Sequence, residues 1–195
     1  DITAAKDATS NYVIVGGKSN TIKLGAGFYD VTGGTGDDIV TLGDSKKVTL
    51  NLGTGQNKVT ATANPTMTVY NISASGSAAT DMDTIAVGNG TGKIDLSNGV
   101  VSASIDTSLA TNTSSAYTIA GAVVSTMTLG AGTYSVTGGS GDDVISVAGA
   151  GDVTANLNVG NNTFTAKNGT SSTRYTITAS TNQDTICLLY TSPSP

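Results

Sequence analysis

A self-similarity at a separation of 105 residues constrains this chain more than any other feature. TIKLGAGFYDVTGGTGDDIVTL at 21–42 faces TMTLGAGTYSVTGGSGDDVISV at 126–147, and the match runs ungapped from 12 against 117 to 75 against 180. After a four-residue deletion, Asp83-Thr84-Ile85 faces Asp184-Thr185-Ile186. The chain is therefore built by repetition: 1–11 reads as a partial preceding repeat, 12–116 as a first unit and 117–186 as a second, truncated one. The last nine residues, 187–195, break with all that precedes them and read as a non-native, adapter-like tail. Asp1 opens the chain with no charged-then-apolar leader, so the sequence is expected to be a piece of a longer repeat protein.

A shorter beat lies inside each copy. G-x-G clusters precede pairs and triplets rich in β-branched residues in LGAGFYDVT (24–32), GGTGDDIVT (33–41) and LGTGQNKVT (52–60). Glycine supplies turn positions with positive φ, and Val, Ile and Thr supply short strands, so each nine-residue unit reads as a turn plus a strand. Two such units make one coil. The expected fold is all-β, a parallel β-solenoid or β-roll, with tandem β-sandwich domains of one repeat each as the alternative.

Composition narrows the function. Only 12% of residues are charged, all 14 acidic residues are Asp, His and Trp are absent, and the single cysteine is Cys187 in the tail. The net charge of -5 with nine scattered Lys and Arg makes no basic stripe for nucleic acid or an anionic membrane. No apolar run reaches the roughly 18 residues of a spanning helix. Without His, without a cysteine outside the tail and without a G-x-S-x-G elbow, the usual bases and nucleophiles of an enzyme are missing. Asp37 and Asp38 are adjacent on extended chain, so they point to opposite sides and are no acid/base pair. GNGTGK at 88–93 fails as a phosphate loop because Val87 stands where its first glycine belongs.

GGTGDDIVT at 33–41 and GGSGDDVIS at 138–146 both fit G-G-x-G-x-D-x-U-x, where U is a large apolar residue. In this the chain resembles the repeats-in-toxin family. The resemblance implies a turn whose carbonyls and sixth-position Asp bind calcium between coils, with Val40 and Ile145 packed inside. It implies ligands at Gly34, Gly36 and Asp38 facing Gly55 and Asn57, and at Gly139, Gly141 and Asp143 facing Gly160 and Asn162. Asn in the facing turn offers oxygen without charge, and Asp37 and Asp142 are expected to be solvated. The preceding units depart further, with Tyr29 and Tyr134 at the sixth position.

The functional expectation is a calcium-stabilised structural or adhesive segment of a large secreted or cell-surface bacterial protein, extracellular in location. Its partners would be other repeats of the same parent chain, the cell surface or further copies, with no nucleic acid and no membrane span. A calcium-independent sandwich module for a surface glycan or protein is the alternative. An ice-binding face built on Thr-x-Thr triplets at 60–62, 66–68, 126–128, 163–165 and 176–178 is a third reading. Recurrent Tyr12, Tyr29, Tyr70, Tyr117, Tyr134 and Tyr175 are expected to pack in the core or across strands.

Overall fold

The computed structural model describes residues 9–61, 67–76, 81–167 and 173–189. Those residues form eighteen strands and no helix. One sheet runs β1 (Asn11–Val15), β3 (Gly27–Gly34), β5 (Ser45–Gly53), β7 (Thr68–Ser75), β9 (Gly90–Asn98), β11 (Ala116–Ala120), β13 (Thr133–Thr137), β15 (Val153–Asn156) and β17 (Tyr175–Thr178). The other runs β2 (Thr21–Leu24), β4 (Ile39–Leu42), β6 (Lys58–Ala61), β8 (Met82–Ala86), β10 (Ser102–Asp106), β12 (Val124–Leu129), β14 (Val144–Val147), β16 (Thr163–Lys167) and β18 (Thr185–Leu189). Successive strands alternate between the sheets and every sheet neighbour is two strands away, paired in parallel. This is a β-solenoid, and the parallel pairing excludes the antiparallel sandwich.

The long repeat has a structural meaning. In the first sheet Asn11 pairs with Phe28, Phe28 with Lys47, Lys47 with Val69, Val69 with Thr91 and Thr91 with Ala116. Five coils thus carry Asn11, the residue before the first unit, to Ala116, the residue before the second. The coils are unequal, from 17 residues between Asn11 and Phe28 to 25 between Thr91 and Ala116. A uniform two-unit coil is therefore too simple; the turns absorb the extra residues and the strands keep register. At the far end Cys187–Leu189 continue β18 against Thr165–Lys167, so the first three residues of the adapter-like tail occupy a strand. Residues 190–195 lie outside the described residues.

Parallel in-register stacking sets each residue on its counterpart one coil away, and the core is made of such columns. Alternate residues of each strand face inward. In the second sheet one inner column passes through Ile22, Val40, Val59, Ile85, Ile105, Met127, Ile145 and Phe164, all buried. Val40 and Ile145 are inside, as the nonapeptide pattern requires. Opposite them Leu50, Ile72, Ile94, Ile119 and Val136 form an aliphatic column of the first sheet.

A second column of that sheet is aromatic. It passes through Tyr12, Tyr29, Val48, Tyr70, Gly92, Tyr117, Tyr134, Val153 and Tyr175. Tyr29, Tyr70, Tyr117 and Tyr134 are buried, so the recurring tyrosines are core residues. Their hydroxyls are satisfied within the core: Tyr29 donates to Ala26 O (2.8 Å), and Tyr117 donates to Gly88 O (2.5 Å). Tyr12 stacks on Tyr29 and Tyr117 on Tyr134, with ring centroids 5.0 and 5.8 Å apart.

Gly92 makes the column close. It has no side chain, so Tyr70 and Tyr117, two coils apart, lean across it and stack at 6.2 Å. Gly92 has φ +139°, and a Cβ there would overlap the Tyr70 carbonyl oxygen. Gly92→Ala is expected to cost at least about 2 kcal/mol by combining strained backbone with overpacking. Gly17→Ala, at an exposed position with open space around it, is expected to cost little. Denaturant unfolding of the two variants measures the difference.

Candidate functional site

The sixth-position residues meet at the corner where the chain enters the second sheet. A main-chain N–H at this corner is left without a strand partner and needs an acceptor. The side chain one coil further on provides it. Asn20 N donates to Asp38 Oδ1 (2.9 Å), Asp38 N to Asn57 Oδ1 (3.1 Å), and Asn57 N to Asp83 Oδ1 (2.8 Å). The second copy repeats the pattern: Ser125 N donates to Asp143 Oδ1 (2.6 Å), Asp143 N to Asn162 Oδ1 (2.8 Å), and Asn162 N to Asp184 Oδ1 (2.9 Å). Asp38, Asn57, Asp83, Asp143 and Asn162 are at most 1% exposed. Two Asx ladders therefore run along the solenoid, separated by Ala103, the column residue between Asp83 and Ser125.

The second atom of each side chain explains why some rungs are Asp and others Asn. Asp38 Oδ2 accepts from Gly34 N (3.3 Å), Asp143 Oδ2 from Gly139 N (2.7 Å), and Asp184 Oδ2 from Ser180 N (2.7 Å), each four residues back. At Asn57 and Asn162 the turn presents a carbonyl instead, and Nδ2 donates to Gly55 O (3.1 Å) and Gly160 O (3.2 Å). A carboxylate accepts only, whereas an amide accepts at one end and donates at the other. The glycines are set by close coil-on-coil approach: a Cβ on Gly34 would overlap Gly17 O, and one on Gly139 would overlap Ala122 O. Asp37 and Asp142 form an outer, exposed rung, accepting from Gln56 N (2.8 Å) and Asn161 N (2.7 Å).

Burial and hydrogen bonding pull the carboxyls in opposite directions. At Asp143 burial dominates and pushes the carboxyl from 3.8 up to about 6, against the Gly139 and Ser125 N–H groups and with the charge of Asp142 adding to the rise. Asp83 is likewise pushed to about 6 by burial, opposed by the N–H and side chain of Asn57 and assisted by the charge of Asp81. At Asp184, nearer the surface, burial also acts upward, but hydrogen bonds from the backbone and side chains of Asn162 and Ser180 outweigh it and hold the carboxyl low.

All ten residues of the sequence-derived calcium set lie along this corner, and each facing pair is brought together as expected: Asp38 touches Asn57, and Asp143 touches Asn162. The donor set does not fit a calcium cage. A calcium ion takes six to eight oxygens, yet the oxygens of Asp38 and Asp143 face N–H groups. The carbonyls of Gly55 and Gly160 accept from the facing amides. Gly34 O accepts from Thr54 N (3.3 Å). Asn20, Asp83, Ser125 and Asp184 complete the ladder and were not singled out by the nonapeptide pattern; the alignment of Asp83 with Asp184 was the available signal.

No family model, curated protein or solved structure matches this chain. The site stands on its own geometry. The described threonine triplets do not share one face: Thr126 with Thr128 and Thr163 with Thr165 lie on the second sheet, and Thr176 with Thr178 on the first. Thr62 and Thr66 lie outside the described residues, and Thr68 is buried.

Exchanging the two rung types tests the ladder. Asp143→Asn sets an amide against Gly139 N–H, and Asn162→Asp sets a carboxylate against Gly160 O and Asp184. Each is expected to cost about 1–3 kcal/mol, the penalty of a buried unmatched polar group, in denaturant unfolding. Asp143 also carries a pH signature. Its folded value near 6 lies above the ordinary 3.8, so its contribution is fully present below about pH 3.8 and is lost as pH rises through about 6. Stability measured across that window is expected to fall with rising pH, and this component is expected to vanish in Asp143→Asn.

Proposed function

We propose that this chain is a structural segment of a larger secreted or cell-surface bacterial repeat protein, serving to extend, space and assemble. One observation carries the reading: the 105-residue repeat is a whole number of coils, so each copy ends in the register in which the next begins. Domains on a string have no need of such a match. The inner-column residues of the end coils, Tyr12 and Ile14 at one end and Ile186 at the other, are only partly covered. They are surfaces on which further coils of the same parent chain stack. Cell-surface or extracellular placement rests on the acidic, Gly- and Thr-rich composition and on the nonapeptide resemblance. No helix among the described residues is long and apolar enough to cross a membrane.

Small-angle scattering of the chain and of a version carrying one additional 105-residue copy tests the extension. Five coils at about 4.8 Å each add about 24 Å to the length at constant cross-section. Growth by a flexibly tethered bead would sink the reading. Chelation tests whether calcium drives the fold. With the rungs closed by the protein's own N–H groups, far-UV circular dichroism is expected to remain β-rich in excess chelator. A strand signal that collapses on chelation and returns with calcium chloride would restore the calcium-driven version.

A further inference from the structure

The dipeptide Asn-Gly occurs twice among the described residues, at Asn89-Gly90 and Asn98-Gly99, and the fold treats the two in opposite ways. A third, Asn168-Gly169, lies outside them. An asparagine before glycine is chemically exposed to its own backbone: the next residue's nitrogen can reach the side-chain carbonyl carbon, because glycine has no Cβ to block the approach and bends freely. At Asn89 the fold prevents this. Asn89 is 7% exposed and Gly90 is buried. Asn89 Oδ1 accepts from Thr111 N (2.8 Å) and Asn112 N (2.9 Å), and Gly90 N donates to Ser115 Oγ (3.3 Å). Carbonyl and nitrogen are both held, away from water.

Asn98-Gly99 stands at the surface where β9 ends. Ser97, Asn98 and Gly99 are all exposed, and Gly99 has φ +79°, left-handed backbone that glycine adopts without strain. The strand is irregular here. Ser73 pairs with Asp95 but Ser75 with Asn98, so β9 carries one residue more than β7 between those pairs, as in a bulge. Gly99 N donates to Ser97 O (3.0 Å), which closes only a three-residue turn. The Asn98 side chain is held by one exposed hydrogen bond, from Nδ2 to Ser75 Oγ (3.1 Å). Little has to open before the Gly99 nitrogen can turn toward Asn98 Cγ.

We propose that Asn98 is a site of spontaneous modification, through a succinimide formed with Gly99. Gly99 N gives its proton to solvent and attacks Asn98 Cγ. A new C–N bond forms, the Cγ–Nδ2 bond breaks, and the amide nitrogen leaves as ammonia after taking a proton from water. Water then opens the ring at one of its two carbonyls, giving aspartate or isoaspartate. Either product adds one negative charge to a chain of net charge -5. Isoaspartate also routes the main chain through the former side chain, one methylene longer. The Asn98 carbonyl, which accepts from Gly76 N (2.9 Å), becomes a pendant carboxylate, so the stitch between the ends of β7 and β9 loosens. This reaction is independent of the spacer reading, which the scattering experiment tests separately.

The test is timed incubation of the full chain in warm, mildly alkaline buffer, followed by trypsin and peptide mass spectrometry. Cleavage after Lys58, Lys93 and Lys167 places Asn89 in peptide 59–93 and Asn98 in peptide 94–167. In the folded chain Asn98 is expected to convert at least about tenfold faster than Asn89, which must first be opened from the fold. Fragmentation of 94–167 is expected to place isoaspartate at position 98. In guanidinium chloride the two rates are expected to converge, since both asparagines then precede glycine in open chain. Asn98→Gln, whose longer side chain closes a ring far less readily, is expected to remove the early conversion of 94–167 and to leave the fold intact at this exposed position. Equal rates in the folded chain overturn the proposal. So does conversion of 94–167 at the parent rate in Asn98→Gln, or a difference between the two asparagines that is as large in guanidinium chloride as in the folded chain.

Discussion

A main-chain N–H left over where the chain turns into the second sheet has to find an acceptor, and six coil junctions supply one from a side chain. In a solenoid the same unsatisfied group recurs one coil away, in the same place, so the answer also recurs. Asp38, Asn57, Asp83, Asp143, Asn162 and Asp184 each turn an oxygen toward the coil before and accept its N–H. An orphaned buried N–H costs about 1–3 kcal/mol. The rungs remove that penalty and set the register of the corner, because a slip of one residue would point each side chain to the wrong side.

Stacking like on like explains much of the remaining design. The tyrosine column works because aromatic faces stack comfortably one coil apart, and Gly92 lets Tyr70 reach Tyr117 where a side chain would stand between them. Coil length is free to vary, since the strands and the corner are the matched parts. The turns between them absorb the additional residues, at an entropic cost that grows only slowly with loop length.

Much of the architecture was legible in the chain itself. The 105-residue alignment, the Gly-rich turns and the β-branched pairs led to a parallel solenoid, and the nonapeptide spacing placed Asp38 against Asn57 and Asp143 against Asn162. It also placed Val40 and Ile145 inside. Unequal coils were not legible, because turns of different length leave no trace in strand patterning. The direction in which the carboxylates act was not legible either. A sixth-position Asp in a glycine turn is compatible with a cation or with an N–H, and the sequence motif is the same for both.

Sequence by itself determined the period and the β character, because these follow from side-chain alternation and backbone freedom along a single strand. The tertiary structure decided what each column does. Whether Asp143 meets an ion or the N–H groups of Gly139 and Ser125 depends on atoms 4 to 18 residues away in sequence. Those atoms become neighbours only when coils stack. Asn at 57 and 162, which the motif alone marks as a weak ligand, is in the folded chain the residue that can accept from one coil and donate to its own turn.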